Sequence, residues 1–250
     1  MSAWNPDQYL RFAAERKQPF LDLMALVEPR PHISAVDLGC GTGEWTRELH
    51  DHLAADNTLG IDSSEAMLAK ARAFANERVR FERGEVESFA PGRKFDLVFS
   101  NAALHWVADH EQLVPRLASL VADGGQLAAQ MPANEEHASH VVAGEVARQF
   151  GAEMRQSEVL KPERYAELLH RAGFQQQHVR VQIYGHLVPS SADVVEWVKG
   201  SLLTDYERRI GSERFPDFLT RYTERLLEVL GDVRPYFYTY KRVLFHASFR

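Results

Sequence analysis

Apolar positions along the chain alternate between a helical period and short continuous runs. Over 6–27, Tyr9, Phe12, Ala13, Phe20, Leu23 and Leu26 recur every three or four residues, the period of a helix with one buried face. Pro29 and Pro31 end that pattern. Ile33–Leu38, Thr58–Asp62, Val79–Arg83, Phe95–Ser100 and Gln126–Met131 are then compact apolar runs of strand length. Helical stretches separate most of them: Glu44–Leu53, a segment from Ser64 through Phe74, and one about Glu111–Val121. Ser63 and Ser64 are good N-cap residues for the second of these. Short strands alternating with helices predict an α/β fold, a parallel sheet with helices on both faces. Beyond Pro132 the pattern changes. His137–Phe150 and Pro162–Ala172 look helical, Gln177–Tyr184 alternates like a strand, and 191–230 holds helices such as Val194–Gly200 and Phe215–Leu230. Tyr236–Phe249 reads as a long final strand. The expected organisation is a single domain over 1–250, with 1–30 as an N-terminal helical lid and 185–235 as a helical cap inserted between the late strands.

Composition narrows the function classes. With 45% hydrophobic and 26% charged residues, the 250-residue chain has the make-up of an ordinary globule. A net charge of −6 argues against a nucleic-acid groove, which needs clustered Lys and Arg. One cysteine, Cys40, excludes an internal disulfide framework and cannot build a zinc site. The 11 histidines show no His-x-x-x-His with a partner acid in a useful frame, so no metal is expected. A Gly-x-Ser-x-Gly nucleophile elbow is absent. No basic-plus-apolar leader and no apolar stretch near the ~20 residues of a membrane span is visible. The expectation is a cytoplasmic protein, monomer or weak homodimer, without membrane or nucleic-acid partners.

The candidate chemistry gathers at strand ends, where ligands of parallel sheets bind. Ala35-Val36-Asp37-Leu38-Gly39-Cys40-Gly41-Thr42-Gly43 begins as a buried strand and ends in a turn nearly bare of side chains. Its glycines let a ligand press against main chain. A dinucleotide site would have a third glycine where this chain has Glu44, whose charge suits the helix N-terminus but not a phosphate. A tight turn without ligand is the competing reading. Asp62, Gly84-Glu85 and Asn101 lie at or just after three further strand ends. Asp62 is placed to accept from a ribose diol, or else to cap the next helix; Glu85 is a nucleoside contact or a solvated loop acid.

The glycine loop resembles the first motif of the class I S-adenosylmethionine-dependent methyltransferases, and Gly60-Ile61-Asp62-Ser63-Ser64-Glu65-Ala66-Met67-Leu68 resembles their second. The resemblance implies a Rossmann-like doubly wound, mostly parallel sheet and S-adenosyl-L-methionine as cofactor. It places Asp37, Gly39 and Gly41 at the amino-acid part of the cofactor, Asp62 and Ser63 at the ribose, and Met67, Glu85 and the Val86 NH at the adenine. Asn101 would face the cofactor, with His105 and Trp106 shaping the reaction chamber.

The opening Trp4-Asn5-Pro6-x-x-Tyr9-x-x-Phe12-x-x-x-Arg16-x-x-Pro19 is similar to the start of trans-aconitate methyltransferases. So are Asp109-His110, Gln130-Met131-Pro132-x-Asn134 with His140, Glu196-Trp197-Val198-Lys199-Gly200 and Phe218-Leu219-Thr220-Arg221-Tyr222. This implies a small polycarboxylate as acceptor, positioned by Tyr9 and bound by Arg16, Lys199, Arg221, Tyr222 and Arg242. An ionised carboxylate needs no base, so positioning and exclusion of water would carry catalysis. Two departures stand out: relatives often have Gln at the place of His105, and Leu-Arg-Pro at that of Leu203-Thr204-Asp205. The alternatives are another carboxylate acceptor, or a cofactor-binding module without catalysis.

Overall fold

The computed structural model describes residues 13–250, with side chains from Lys17 onward. Tyr9 and the side chain of Arg16 therefore lie outside the described residues. In chain order the first elements are α1 (Ala13–Met24), β1 (Ser34–Leu38), α2 (Glu44–Leu53), β2 (Asn57–Asp62) and α3 (Glu65–Ala71). Next come β3 (Val79–Arg83), β4 (Phe95–Asn101), α4 (His110–Ser119), β5 (Val121–Pro132), α5 (Ala138–Gln149) and α6 (Pro162–Arg171). The last are β6 (Gln176–Val188), α7 (Asp193–Lys199), α8 (Leu202–Ile210), α9 (Phe215–Leu230) and β7 (Tyr236–Ser248).

The seven strands form one sheet in the order β3-β2-β1-β4-β5-β7-β6. β1 to β5 pair in parallel and β7 runs antiparallel to β5. The central strands are continuous apolar runs because helices cover both faces. Asp37, at the last turn of β1, pairs in register with Gly60 and Phe99, so the ends of β1, β2 and β4 come together.

The chain divides into two compact units. One comprises 18–132, 158–182 and 242–250 and holds the parallel sheet. Its core joins Phe20, Leu23, Leu49, Leu97, Phe99 and Leu244. Phe20 stacks on Trp45 at 5.6 Å and meets Phe99 edge-on at 6.0 Å. The other comprises, among the described residues, 13–17, 133–157 and 183–241. It packs α5, α7, α8 and α9 around Trp197, Tyr206, Phe218, Tyr222 and Tyr238.

β5 begins earlier than the apolar pattern predicts. Asp123-Gly124-Gly125, which lies ahead of the Gln126–Met131 run, is inside the strand at a register irregularity opposite Phe95 and Leu97. A Cβ on Gly125 would meet the Asp96 carbonyl at 2.9 Å, so that approach requires glycine.

Candidate functional site

Asp37 ends β1 almost wholly buried, at 3% exposure. The Thr46 hydroxyl, nine residues on in α2, donates to its Oδ2 at 2.6 Å. Oδ1 has no partner among the described residues. Burial raises the Asp37 pKa to about 7, with the Thr46 hydrogen bond opposing and the Asp62 charge adding to the rise. A buried carboxylate with one free oxygen is suited to a cationic donor such as an ammonium group.

The turn after Asp37 is built from main chain. The amides of Gly39 and Cys40 both donate to the Ile61 carbonyl, at 2.8 and 2.9 Å, tying the β1 loop to β2. Gly39 has φ +81°, and a Cβ there would lie 2.1 Å from the Ala103 methyl. Gly41, with φ +56°, has nothing within 4 Å of its missing Cβ. The first glycine is needed by the fold, whereas the second leaves open space over bare backbone. A nucleoside-bearing amino acid fits such a cradle.

Asp62 joins this turn. Its Oδ2 accepts from the Gly41 amide and its Oδ1 from the Ser64 amide, both at 2.9 Å. Capping of α3 falls to Ser64, whose Oγ accepts from the Met67 amide at 3.3 Å. Ser63 is exposed and Met67 partly buried beside them. After β3, Glu85 is exposed and Val86 buried. The Arg116 guanidinium pins this loop by donating to the carbonyls of Val86 (2.9 Å) and Phe89 (2.8 Å).

Asn101 ends β4. Its Oδ1 accepts from Gln130 Nε2 at 2.5 Å, and Gln130 Oε1 accepts from Arg242 Nη1 at 2.9 Å. Ala102 then takes φ +54°, a left-handed conformation unusual for a residue with a Cβ, and its amide donates to the Gln130 carbonyl at 2.9 Å. That sharp turn lays Ala103 against Gly39. A single 3-10 turn, Leu104–Trp106, follows. His105 and Trp106 pack ring to ring at 4.8 Å, with Trp106 51% exposed.

His110 holds the far end of this loop. Its Nε2 donates to the Leu104 carbonyl at 2.9 Å, which leaves Nδ1 to accept from the Tyr165 hydroxyl at 2.5 Å. Burial lowers the His110 pKa, keeping the ring neutral in that arrangement.

Asp37, Gly39, Gly41, Asp62 and Asn101 are thus brought together at neighbouring strand ends. Lys199, Arg221 and Tyr222 belong to the other unit. Lys199 pairs with Glu196 at 2.5 Å on its own helix. Arg221 lies in a groove lined by Glu145, Glu224 and Glu228. Tyr222 is fully buried and donates its hydroxyl to the Ser139 carbonyl at 3.1 Å, a core role that differs from the expected contact with substrate. The departure at Leu203-Thr204-Asp205 is absorbed locally. Leu203 is core, the Thr204 hydroxyl donates to the Lys199 carbonyl, and Asp205 pairs with Arg208 (2.7 Å) and Arg209 (2.8 Å) of the same helix.

Thr46, Arg116 and Tyr165 carry no signal in the sequence, since each lies on an ordinary amphipathic helix. Gln130 and His110 fall inside quoted motifs, but their partners are set by strand pairing and by helix packing.

Residues 35–125 match the family described as methyltransferase domain. Over 98% of both chains, this protein is 40% identical to trans-aconitate 2-methyltransferase of Deinococcus radiodurans. The chain belongs to the trans-aconitate 2-methyltransferase family. Like the other enzymes of this kind it is a methyltransferase with S-adenosyl-L-methionine as cofactor. Solved structures agree on the fold. The YcgJ protein of Bacillus subtilis, 16% identical, superposes with a TM-score of 0.62 over 94% of this chain and 99% of its own. Phosphoethanolamine N-methyltransferase 2 of Haemonchus contortus, in complex with S-adenosyl-L-methionine, gives 0.57 at 20% identity over 93% of this chain and 52% of its own. The half-satisfied Asp37 carboxylate and the open space over Gly41 suit the amino-acid end of that cofactor.

Proposed function

We propose that this protein methylates a carboxylate of trans-aconitate, giving a monomethyl ester. The observation that carries the reading is the near full-length match to the Deinococcus radiodurans enzyme of that name. The Leu203-Thr204-Asp205 departure offers no reason against it, because Asp205 is neutralised by Arg208 and Arg209 of its own helix.

Bound S-adenosyl-L-methionine supplies a methyl group on a positively charged sulfur. The chain's part is to bind, orient and exclude water. Asp37 holds the ammonium with its free Oδ1, Gly39 and Gly41 give the bare backbone, and Asp62 serves the ribose while fixing Gly41. Ser63, Met67, Glu85 and Val86 belong to the ribose and adenine end in this reading. Asn101 faces the cofactor and borders the space for the acceptor, which His105 and Trp106 shape. A carboxylate is ionised near neutrality, so His105 is assigned no proton transfer. Orientation and desolvation supply the rate. Arg242 is buried at 7% exposure and donates to Gln130, so the positive charge it sets behind Asn101 favours a polyanionic acceptor.

The proposal includes a cytoplasmic setting and a monomer or weak homodimer acting on a small molecule. The buried free thiol of Cys40 is consistent with a reducing compartment. Among the described residues no helix is long and apolar enough to cross a membrane. Purified protein incubated with methyl-labelled cofactor and a panel of di- and tricarboxylates tests the reading. Label is expected in the trans-aconitate ester. Transfer to another carboxylate alone would reassign the acceptor, and transfer to none, with cofactor bound, would refute the enzymatic reading.

A further inference from the structure

The hydrogen bonds at the end of β4 have a direction that follows from chemistry alone. Side-chain amides are usually ambiguous by a half-turn, because their oxygen and nitrogen look alike. A guanidinium removes the ambiguity, since it donates and never accepts. Arg242 Nη1 lies 2.9 Å from the Gln130 amide, so the Gln130 oxygen faces Arg242 and its NH2 faces Asn101. At 2.5 Å, the Asn101 oxygen must then accept from Gln130. Asn101 is left with both Nδ2 protons turned away from Gln130. Gln130 is 1% exposed and Arg242 7%, so water competes for neither bond. Asn101 itself is partly exposed, and among the described residues nothing accepts from its Nδ2. It stands at the carboxyl end of a parallel strand, beside the end of β1 and two residues before Ala103, which touches Gly39.

We propose that Arg242 and Gln130 are positioning residues that lock Asn101 with its N–H groups outward, so that the chamber favours an anionic oxygen acceptor over an amine. This rests on the carboxylate methylation proposed above. An N–H donor makes a charge-assisted bond to a carboxylate. The flipped amide would set its oxygen against the carboxylate oxygens and would suit an N–H acceptor instead. Arg242 thereby selects the acceptor through two amides, without itself needing to touch it. The buried charge polarises both amides in the same sense.

Gln130→Glu tests this directly. The introduced carboxylate pairs with Arg242 and has no proton for Asn101, which then turns its NH2 inward and its oxygen outward. The expected result is a fall in kcat/KM for trans-aconitate of roughly 10- to 100-fold, the size of a lost hydrogen bond to a charged group. Cofactor Kd should stay within about twofold, which also shows that the variant is folded. Asn101→Asp, which places a negative oxygen outward, should lose at least as much. A readout independent of turnover is the side-chain amide resonance of Asn101 in protein loaded with S-adenosylhomocysteine. Adding trans-aconitate should shift it in the wild type and not in Gln130→Glu.

Turnover of trans-aconitate by the wild type, with Gln130→Glu keeping kcat/KM within about threefold and the Asn101 resonances unmoved, would overturn the amide proposal and leave the enzymatic reading standing. Parallel loss of cofactor affinity in Gln130→Glu would also overturn it, since the donor would then serve the cofactor. A wild type that methylates no carboxylate, yet whose Asn101 amide shifts with trans-aconitate, would support the outward donor and refute the acceptor assignment. No turnover and no shift would refute both.

Discussion

Gly39 and Gly41 stand two residues apart in one turn, yet they are constrained by different things. Both have positive φ, which costs a residue with a Cβ on the order of 1–2 kcal/mol. Gly39→Ala adds a clash at 2.1 Å with Ala103 and should destabilise the fold by several kcal/mol, seen as a large drop in melting temperature. Gly41→Ala meets nothing within 4 Å and should cost only the conformational penalty, while weakening cofactor binding tenfold or more. Equal melting temperatures for the two variants would contradict this division. Asp37 makes a second prediction through protonation. Its pKa of about 7 means that it is largely neutral at pH 6 and ionised at pH 8. An ammonium group binds the ionised form, so cofactor affinity should rise by up to about tenfold per unit as pH climbs toward 7, then level off. Calorimetric titration from pH 5.5 to 8.5 would show the slope, and Asp37→Asn should both weaken binding at pH 8 and remove the pH dependence. A wild-type affinity that is flat across pH 7 would reject the role. Asp37 and its glycines are legible in the sequence because a continuous apolar run ends in three glycines, a pattern with few structural meanings. Thr46 is not legible. It is one threonine on an amphipathic helix, and only the helix's return over β1 brings it to the carboxylate.

The loop from Asn101 to Asp109 is held as a unit by its two ends: Gln130 at the start, and His110 at the N-terminus of α4. Tyr165 of α6 is the keystone of the second attachment. Its hydroxyl donates to His110 and accepts from the Leu160 amide at 3.2 Å. Tyr165→Phe leaves the His110 Nδ1 and the Leu160 amide without that partner inside a buried network. The expected cost is roughly 1–3 kcal/mol of stability, with a fall in kcat at nearly unchanged cofactor Kd, because the loop carrying His105 and Trp106 loses its anchor. If kcat is unchanged while stability falls, His110 is a structural histidine only. Strands and helices themselves are mostly readable from periodicity: β3, α2 and α9 occupy the residues expected of them. The miss at β5 has a plain cause. Asp123-Gly124-Gly125 has turn composition, but Gly125 is required by a close approach to Asp96, which is a tertiary contact that local pattern cannot express. The His110–Tyr165 pair escapes for the same reason, its partners standing 55 positions apart in the chain.

For the molecule as a whole, composition announces an acidic globule but not where its buried charge lies. Helix spacing predicts which side chains turn inward, yet it does not say that histidines would be so common among them. His50, His110, His137, His140 and His246 all have lowered pKa values, each with burial as the largest cause, and His140 is brought down to about 3. Asp37 is shifted the opposite way, up to about 7. These shifts have definite signs for stability. A histidine kept neutral in the fold becomes protonated once the chain unfolds below pH 6.5, so its contribution is intact above that pH and lost as pH falls. Asp37 keeps its proton in the fold up to about pH 7 but releases it near 3.8 when unfolded, so its contribution declines as pH rises through that window. Just below pH 6.5 five groups therefore oppose one, with His140 continuing to do so down toward pH 3, and the unfolded chain binds more protons than the folded one. Each fully shifted group is worth at most about 1.4 kcal/mol per pH unit. The cofactor-free protein should accordingly be most resistant to urea near or above pH 7 and lose resistance steadily on acidification from pH 6.5. His140→Gln should shallow that slope while lowering stability little at pH 8, since Gln retains a polar group for Ser139, 3.1 Å from the His140 ring in the native protein. Urea midpoints that hold level down to pH 5 would mean that the buried histidines are reached by water and protonated within the fold, and would remove the basis for treating His110 as a neutral, single-tautomer anchor.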